Sequence, residues 1–290
     1  MKSWEEFWEE ILEKTSNFTF IPDWRSIFKD CPFSIQDRSE LKKTFYEKRR
    51  DMIKAKLSQK ERKVDLHKYV MDYYESLEKQ RKNEKNFNET SVETGIRDRQ
   101  QTLVTFLSQN HIDYLKKDDV IEIIHYSWAQ KDIWTDFPTK ALDVIEKNGL
   151  PKLRRELKRL LYGTTPLPER FDDFITKVKG FGAQYTSEIL TFIYPENCCL
   201  WNRVVADSVI LLGINDLLPY EVWKNGMVLD GKGYEKCCEV LKKIKNDLGN
   251  FLPKPDFLDI HTFIMYIYAQ IIMQPDILEE IRIFSKQLIY

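Results

Sequence analysis

Residues 178–184 read Val178-Lys179-Gly180-Phe181-Gly182-Ala183-Gln184, and this stretch decides how the chain is interpreted. Only ten glycines occur in 290 residues, yet two stand one residue apart here between apolar runs. Glycine accepts backbone angles closed to other residues and lets a second molecule come close to the main chain. Upstream, Phe171, Phe174, Ile175 and Val178 recur at helical spacing, and downstream Ile189, Leu190, Phe192 and Ile193 do the same. The pattern predicts two short amphipathic helices joined by a Gly-Phe-Gly hairpin, with the second helix running to about Tyr194. With Phe181 turned into the core, the glycines leave N–H groups bare at the start of that helix. Four donors lack partners there and the helix dipole is positive. A phosphate oxygen suits such a place, and Lys177, Lys179, Ala183 and Gln184 complete its surroundings. The same letters also suit an ordinary helix–helix connection closed by glycines.

Outward from the hairpin the period is helical nearly throughout. Runs at 118–131, 139–148, 151–161, 203–212, 256–273 and 276–288 are each bounded by Asn, Asp or Pro, and strand signals are sparse. The expected fold class is all-α. A polar stretch, 78–95, containing Gln80-Arg81-Lys82-Asn83-Glu84-Lys85-Asn86, reads as a link. It separates a helical N-terminal region, 1–90, from a larger unit, 91–290.

Beyond the hairpin, the segment Leu200-Trp201-Asn202-Arg203-Val204 carries further information. Over 171–213 the chain resembles the helix-hairpin-helix DNA glycosylases of the endonuclease III-like superfamily. Their hairpin reads apolar-Pro-Gly-apolar-Gly and is followed by a segment bearing a catalytic aspartate. The resemblance implies a bilobal helical domain with hairpin and catalytic segment between the lobes. By an ungapped count, Gln184 stands where bifunctional members place a nucleophilic lysine, and Asn202 where they place the aspartate. Both are amides here. A glutamine has no basic lone pair with which to form an imine, and a neutral asparagine offers a cationic transition state only a dipole. The lyase step is therefore expected to be absent. Glu188 and Asp207 are the nearest carboxylates that would replace the missing charge, although neither holds the family position, and a solvated or salt-bridged role suits them too. Asn202 equally suits a helix N-cap ahead of 203–212.

Composition excludes several other classes. With 42% apolar and 31% charged residues the chain can bury a sizeable core, and a net charge of -1 means that any basic face must be local. Residues 41–63 hold ten Lys or Arg against three acids, and 152–159 hold five against one. The second strip lies just before the hairpin and is the better candidate to face a duplex, with a solvated helix face as the alternative. Cys31, Cys198, Cys199, Cys237 and Cys238 form two adjacent pairs and a singleton. That matches neither a spaced zinc pattern nor an iron–sulfur loop, so reduced thiols and no metal or cofactor are expected. His67, His111, His125 and His261 are scattered. Residues 1–14 form an acidic amphipathic pattern rather than a leader, and the longest apolar run, 263–273, is too short for a bilayer. A cytoplasmic protein is the expectation.

Trp128, Trp134, Trp201 and Trp223 would either pack in the core or offer a stacking surface for an extruded base, with Trp201, Asn202 and Arg203 nearest any remnant pocket. Three functions follow. The first is a DNA-binding protein gripping the backbone of a duplex through the hairpin, without the usual glycosylase or lyase chemistry, in DNA repair or defence. The second is a monofunctional glycosylase acting on an unusual or modified base. The third is a protein-interaction scaffold using Trp4, Phe7 and Trp8 in its N-terminal region.

Overall fold

The computed structural model describes residues 66–83, 92–126, 137–214, 217–219, 222 and 229–272. Ten α-helices and one short 3-10 turn occur among them, and no strand. In chain order these are α1 (Leu66–Asn83), α2 (Val92–Leu107), the 3-10 turn Ile112–Tyr114, α3 (Lys117–Tyr126), α4 (Phe137–Asn148) and α5 (Leu150–Tyr162). Then follow α6 (Leu167–Lys177), α7 (Ala183–Ile193), α8 (Arg203–Leu211), α9 (Gly231–Leu248) and α10 (Phe257–Ile272). The predicted runs at 139–148, 151–161 and 203–212 fall on helices, as do the described parts of 118–131 and 256–273, while 127–131 and 273 and the whole of 276–288 lie outside the described residues. So do Trp4, Phe7, Trp8, the basic stretch 41–63, Cys31, Trp128, Trp134 and Trp223.

Both ends of the expected link, 78–95, are helical, which corrects its reading as a link there. Residues 78–83 continue α1 and 92–95 begin α2, while 84–91 lie outside the described residues. Helix α1 packs on α9 and α10. Tyr73 meets Phe263 and Tyr266 at ring-centroid distances of 5.4 and 5.3 Å, so the end of the N-terminal region shares a core with the C-terminal helices.

Helix α7 is the centre of the fold. It packs against α2, α6 and α10, and all eight residues from Tyr185 to Phe192 are buried. Burial of Ile189, Leu190 and Phe192 contributes about 1.5–3 kcal/mol each. Two of its hydroxyls are satisfied locally. The hydroxyls of Thr186 and Thr191 donate to the carbonyls of Gly182 and Ser187 at 3.0 and 2.7 Å, one turn back. A buried hydroxyl bonded in this way avoids the cost of an unpaired polar group.

Around α7 the ends of the helices are tied by charge and capping. Arg97 of α2 forks onto Asp256 at 2.6 and 3.0 Å and reaches Asp259 at 2.7 Å, joining α2 to the start of α10. Asp230 caps α9 by accepting from the Gly233 N–H at 2.7 Å, and Asn202 caps α8 by accepting from the Val205 N–H at 2.9 Å. Helix α5 starts after Gly149, at φ 74°, with Pro151 in its first turn, and sets Leu153, Leu157, Leu160 and Leu161 into the core. No described helix is long and apolar enough to cross a membrane.

Candidate nucleic-acid interface

The hairpin between α6 and α7 is built around one inward side chain. Phe181 is buried, stacks at 4.0 Å on the Tyr185 ring and lies 6.0 Å from that of Phe174. Its neighbours Lys179, Gly180 and Gly182 are exposed, while Ala183 and Gln184 are half-buried. Gly182 is the N-cap of α7 and, having no side chain, caps nothing. The start of a fully packed helix is therefore presented to solvent as backbone.

The two glycines differ in what holds them there. Gly180 sits at φ 92°, and a Cβ on it would come within 2.7 Å of Val144 Cγ2 in α4. Its backbone angle and its space both demand glycine. Gly182 has φ −86°, which any residue adopts, and a Cβ on it would meet nothing within 4 Å. Folding thus explains the first glycine and not the second.

A side chain from α4 fixes the turn. Asn148 Nδ2 donates to the Lys179 carbonyl at 2.8 Å, and its Oδ1 accepts from the Lys179 N–H at 2.9 Å. Both backbone groups of the hairpin's first residue are held by one amide at a helix end. Lys152 of α5 brings its ammonium within 3.4 Å of the same Asn148 oxygen. Lys152 and Lys179 therefore share the mouth of the turn. Asn148 was not singled out from sequence, where Asn148-Gly149 reads only as a helix stop.

The other basic residues are more committed than their count suggests. Lys177 pairs with Asp173 at 2.5 Å, and that contact first, then the nearby Arg159, holds the Asp173 carboxyl below its usual range. Arg154 donates twice to the Leu115 carbonyl, at 2.8 and 2.5 Å, which is a structural task. Lys158 bonds Asp113, and Arg155 meets Glu156 at 2.8 Å. Arg155 and Arg159 remain about 60% exposed. With Arg154 and Lys158 they line a groove of about 540 Å³ beside Gln109, Asp113 and Tyr162.

The segment 200–204 lies against α7. Ser187 of α7 lies 2.8 Å from the Gln184 carbonyl and 3.1 Å from both the N–H and the carbonyl oxygen of Trp201. The Gln184 carbonyl and the Trp201 backbone thus meet at one buried hydroxyl. The side chains themselves do other work: Asn202 spends its oxygen on the cap of α8, Arg203 begins that helix half-buried, and Trp201 is buried, 2% exposed. Glu188 and Asp207 are also buried, at 1% and 6%, which corrects the solvated role open to them in the sequence. The Tyr185 hydroxyl and the Trp201 indole N–H are buried without a hydrogen-bond partner among the described residues. Burial first, and then the Glu188 charge, pushes the Tyr185 phenol well above its ordinary range.

No three His, Cys, Asp or Glu residues among those described converge as a metal site. No protein-family model, curated protein or solved structure matches the chain.

Proposed function

We propose that this chain is a DNA-binding protein with a bilobal, DNA-glycosylase-like helical domain over 91–290, which grips a duplex backbone through the helix-hairpin-helix at 171–193. The observation that carries the reading is Gly182. Nothing in the fold requires glycine there, whereas an anion approaching the first N–H groups of α7 requires the absence of a side chain. Lys152 and Lys179 stand at the same mouth, and Arg155 and Arg159 extend the positive surface along α5. An anion at a helix N-terminus contributes about 0.3–1 kcal/mol, up to about 2 where partly buried, so a single hairpin gives modest, sequence-independent affinity.

The usual chemistry is not part of this proposal. Gln184 has no amine with which to attack a sugar, and Asn202 is neutral and engaged in capping. The protein works in this reading as a binder in repair or defence, in the cytoplasm, with no cofactor. The test is titration of a labelled duplex against salt. Three to five phosphate contacts predict a log–log slope of roughly −2.7 to −4.5, a loss on the order of a hundred-fold between about 50 and 200 mM salt. Absence of binding even at low salt would sink the proposal.

A second reading rests on a separate observation: two buried carboxylates, Glu188 and Asp207, in a fold that also buries the Tyr185 hydroxyl and the Trp201 indole N–H without a hydrogen-bond partner among the described residues. Buried carboxylates, and buried polar atoms such as the Tyr185 hydroxyl and the Trp201 indole N–H, accompany catalytic sites. In this reading the chain is a monofunctional glycosylase on a modified base, with Glu188 or Asp207 supplying charge. Incubation with oligonucleotides carrying damaged bases separates the two, since release of free base belongs only to the enzyme.

A further inference from the structure

The two adjacent cysteine pairs, separated widely in sequence, meet in the core. Cys198, Cys199, Cys237 and Cys238 are all buried free thiols. Cys199, in the stretch before α8, places its sulfur 3.4 Å from that of Cys238 on α9, 39 residues later. The Cys199 N–H also points at Cys238 Sγ, at 3.3 Å, so Cys238 sulfur accepts from the backbone while it lies in hydrogen-bond contact with Cys199 sulfur. Beside them the Tyr234 hydroxyl donates to the Cys199 carbonyl at 2.9 Å. Two sulfurs at this separation need a shift of little more than 1 Å to bond, because a disulfide spans about 2.05 Å.

We propose that Cys199 and Cys238 form a redox modification site, closed to a cystine by hydrogen peroxide and reopened by thiol reductants. Cys238 is the sulfur oxidised first. It keeps 6% exposure against none for Cys199, and peroxide is only slightly larger than water. The Cys199 thiol hydrogen bond holds the Cys238 thiol below its usual range although burial opposes this, and the Cys199 N–H adds to it. Burial pushes Cys198 up to about 12 and Cys237 higher still, which keeps both neighbours protonated and slow.

In the first step the Cys238 thiolate attacks one peroxide oxygen and the O–O bond breaks. The departing hydroxide takes up the proton released by the thiol, leaving water and a sulfenic acid. In the second, Cys199 sulfur attacks the sulfenic sulfur, the S–O bond breaks, and the hydroxide leaves with the Cys199 proton as a second water. Two thiols give up two electrons and two protons, and one peroxide becomes two waters. The cystine would tie the chain three residues before Asn202 to α9. This site is independent of the nucleic-acid reading.

The experiment treats the full chain with hydrogen peroxide, unfolds it, alkylates the remaining thiols and maps them by mass spectrometry. The sequence contains five cysteines. Five alkylated thiols should fall to three, with one peptide pair joining 199 to 238 that dithiothreitol releases. An unchanged count, or a cystine between any other two cysteines, would overturn the proposal. The order of attack is read in Cys199→Ser, where a sulfenic-acid trap should label Cys238. Labelling of Cys199 in Cys238→Ser instead would reverse the assignment. Because the wild-type mapping needs no variant, a substitution that fails to fold leaves the main result intact.

Discussion

Replacing Gly180 and Gly182 separately by alanine should split folding from exposure at the hairpin. Gly180→Ala forces a side chain to φ 92° and brings its Cβ to 2.7 Å from Val144 Cγ2, a residue fully buried on α4. The left-handed conformation costs about 1–2 kcal/mol for a non-glycine residue, and the contact adds to that because a β-branched, packed side chain cannot rotate away. A total of roughly 2–3 kcal/mol corresponds to a melting temperature lower by about 4–10 °C in a protein of this size class. Gly182→Ala meets no atom within 4 Å and keeps an allowed backbone, so its effect should lie within about ±0.5 kcal/mol. Thermal and urea unfolding of both variants measure the contrast. Val144→Ala supplies the internal control: it removes the clashing methyl, so Gly180→Ala should cost less in that background than in the native one. Equal melting temperatures for the two glycine variants would refute the argument that only Gly180 is required by the fold.

Other perturbations test the surrounding structure. Removing Arg97 as Arg97→Ala leaves Asp256 and Asp259 facing each other at a helix start; because Arg97 is 35% exposed, solvent screening limits the loss to about 2–3 kcal/mol, read as a lowered urea midpoint. Asn202→Ala should lose about 1 kcal/mol with the α8 cap, whereas Asn202→Asp, which keeps the acceptor, should retain native stability in the same measurement. His261 is buried, which lowers its pKa to about 3. Above pH 6.5 the imidazole is neutral folded or unfolded and contributes no pH dependence; as pH falls the unfolded chain takes the proton first. Stability should drop by about 1.4 kcal/mol per pH unit through the window from 6.5 down toward 3. His261→Leu should flatten that slope in urea titrations at successive pH values, and an unchanged slope would remove His261 from the acid response.

The hairpin was readable because its signal is local: two glycines around one apolar residue, flanked by amphipathic runs, dictate a turn with one anchor whatever surrounds it. Helix α7 shows the limit. Thr186, Ser187, Glu188 and Thr191 look like a polar face, yet all are buried, because α2, α6 and α10 enclose the helix and its hydroxyls bond back to their own backbone. The strip 152–159 shows the same limit from the other side. Its excess of positive charge is real, but Arg154 is consumed by the Leu115 carbonyl and Lys158 by Asp113, partners about 40 residues away that no local window contains. The cysteine pairs, uninformative as spacing, gain meaning only when α9 carries Cys238 against Cys199.

Phosphate capture would act on particular atoms, the first backbone N–H groups of α7, and amide chemical shifts report on them directly. In a titration of isotope-labelled protein with duplex DNA at low salt, the Gly182, Ala183 and Gln184 amides should shift most and saturate together, and the Gly182→Ala protein should need several-fold more DNA to reach the same point. Shifts confined to other surfaces, with these three amides unmoved at saturation, would contradict the account.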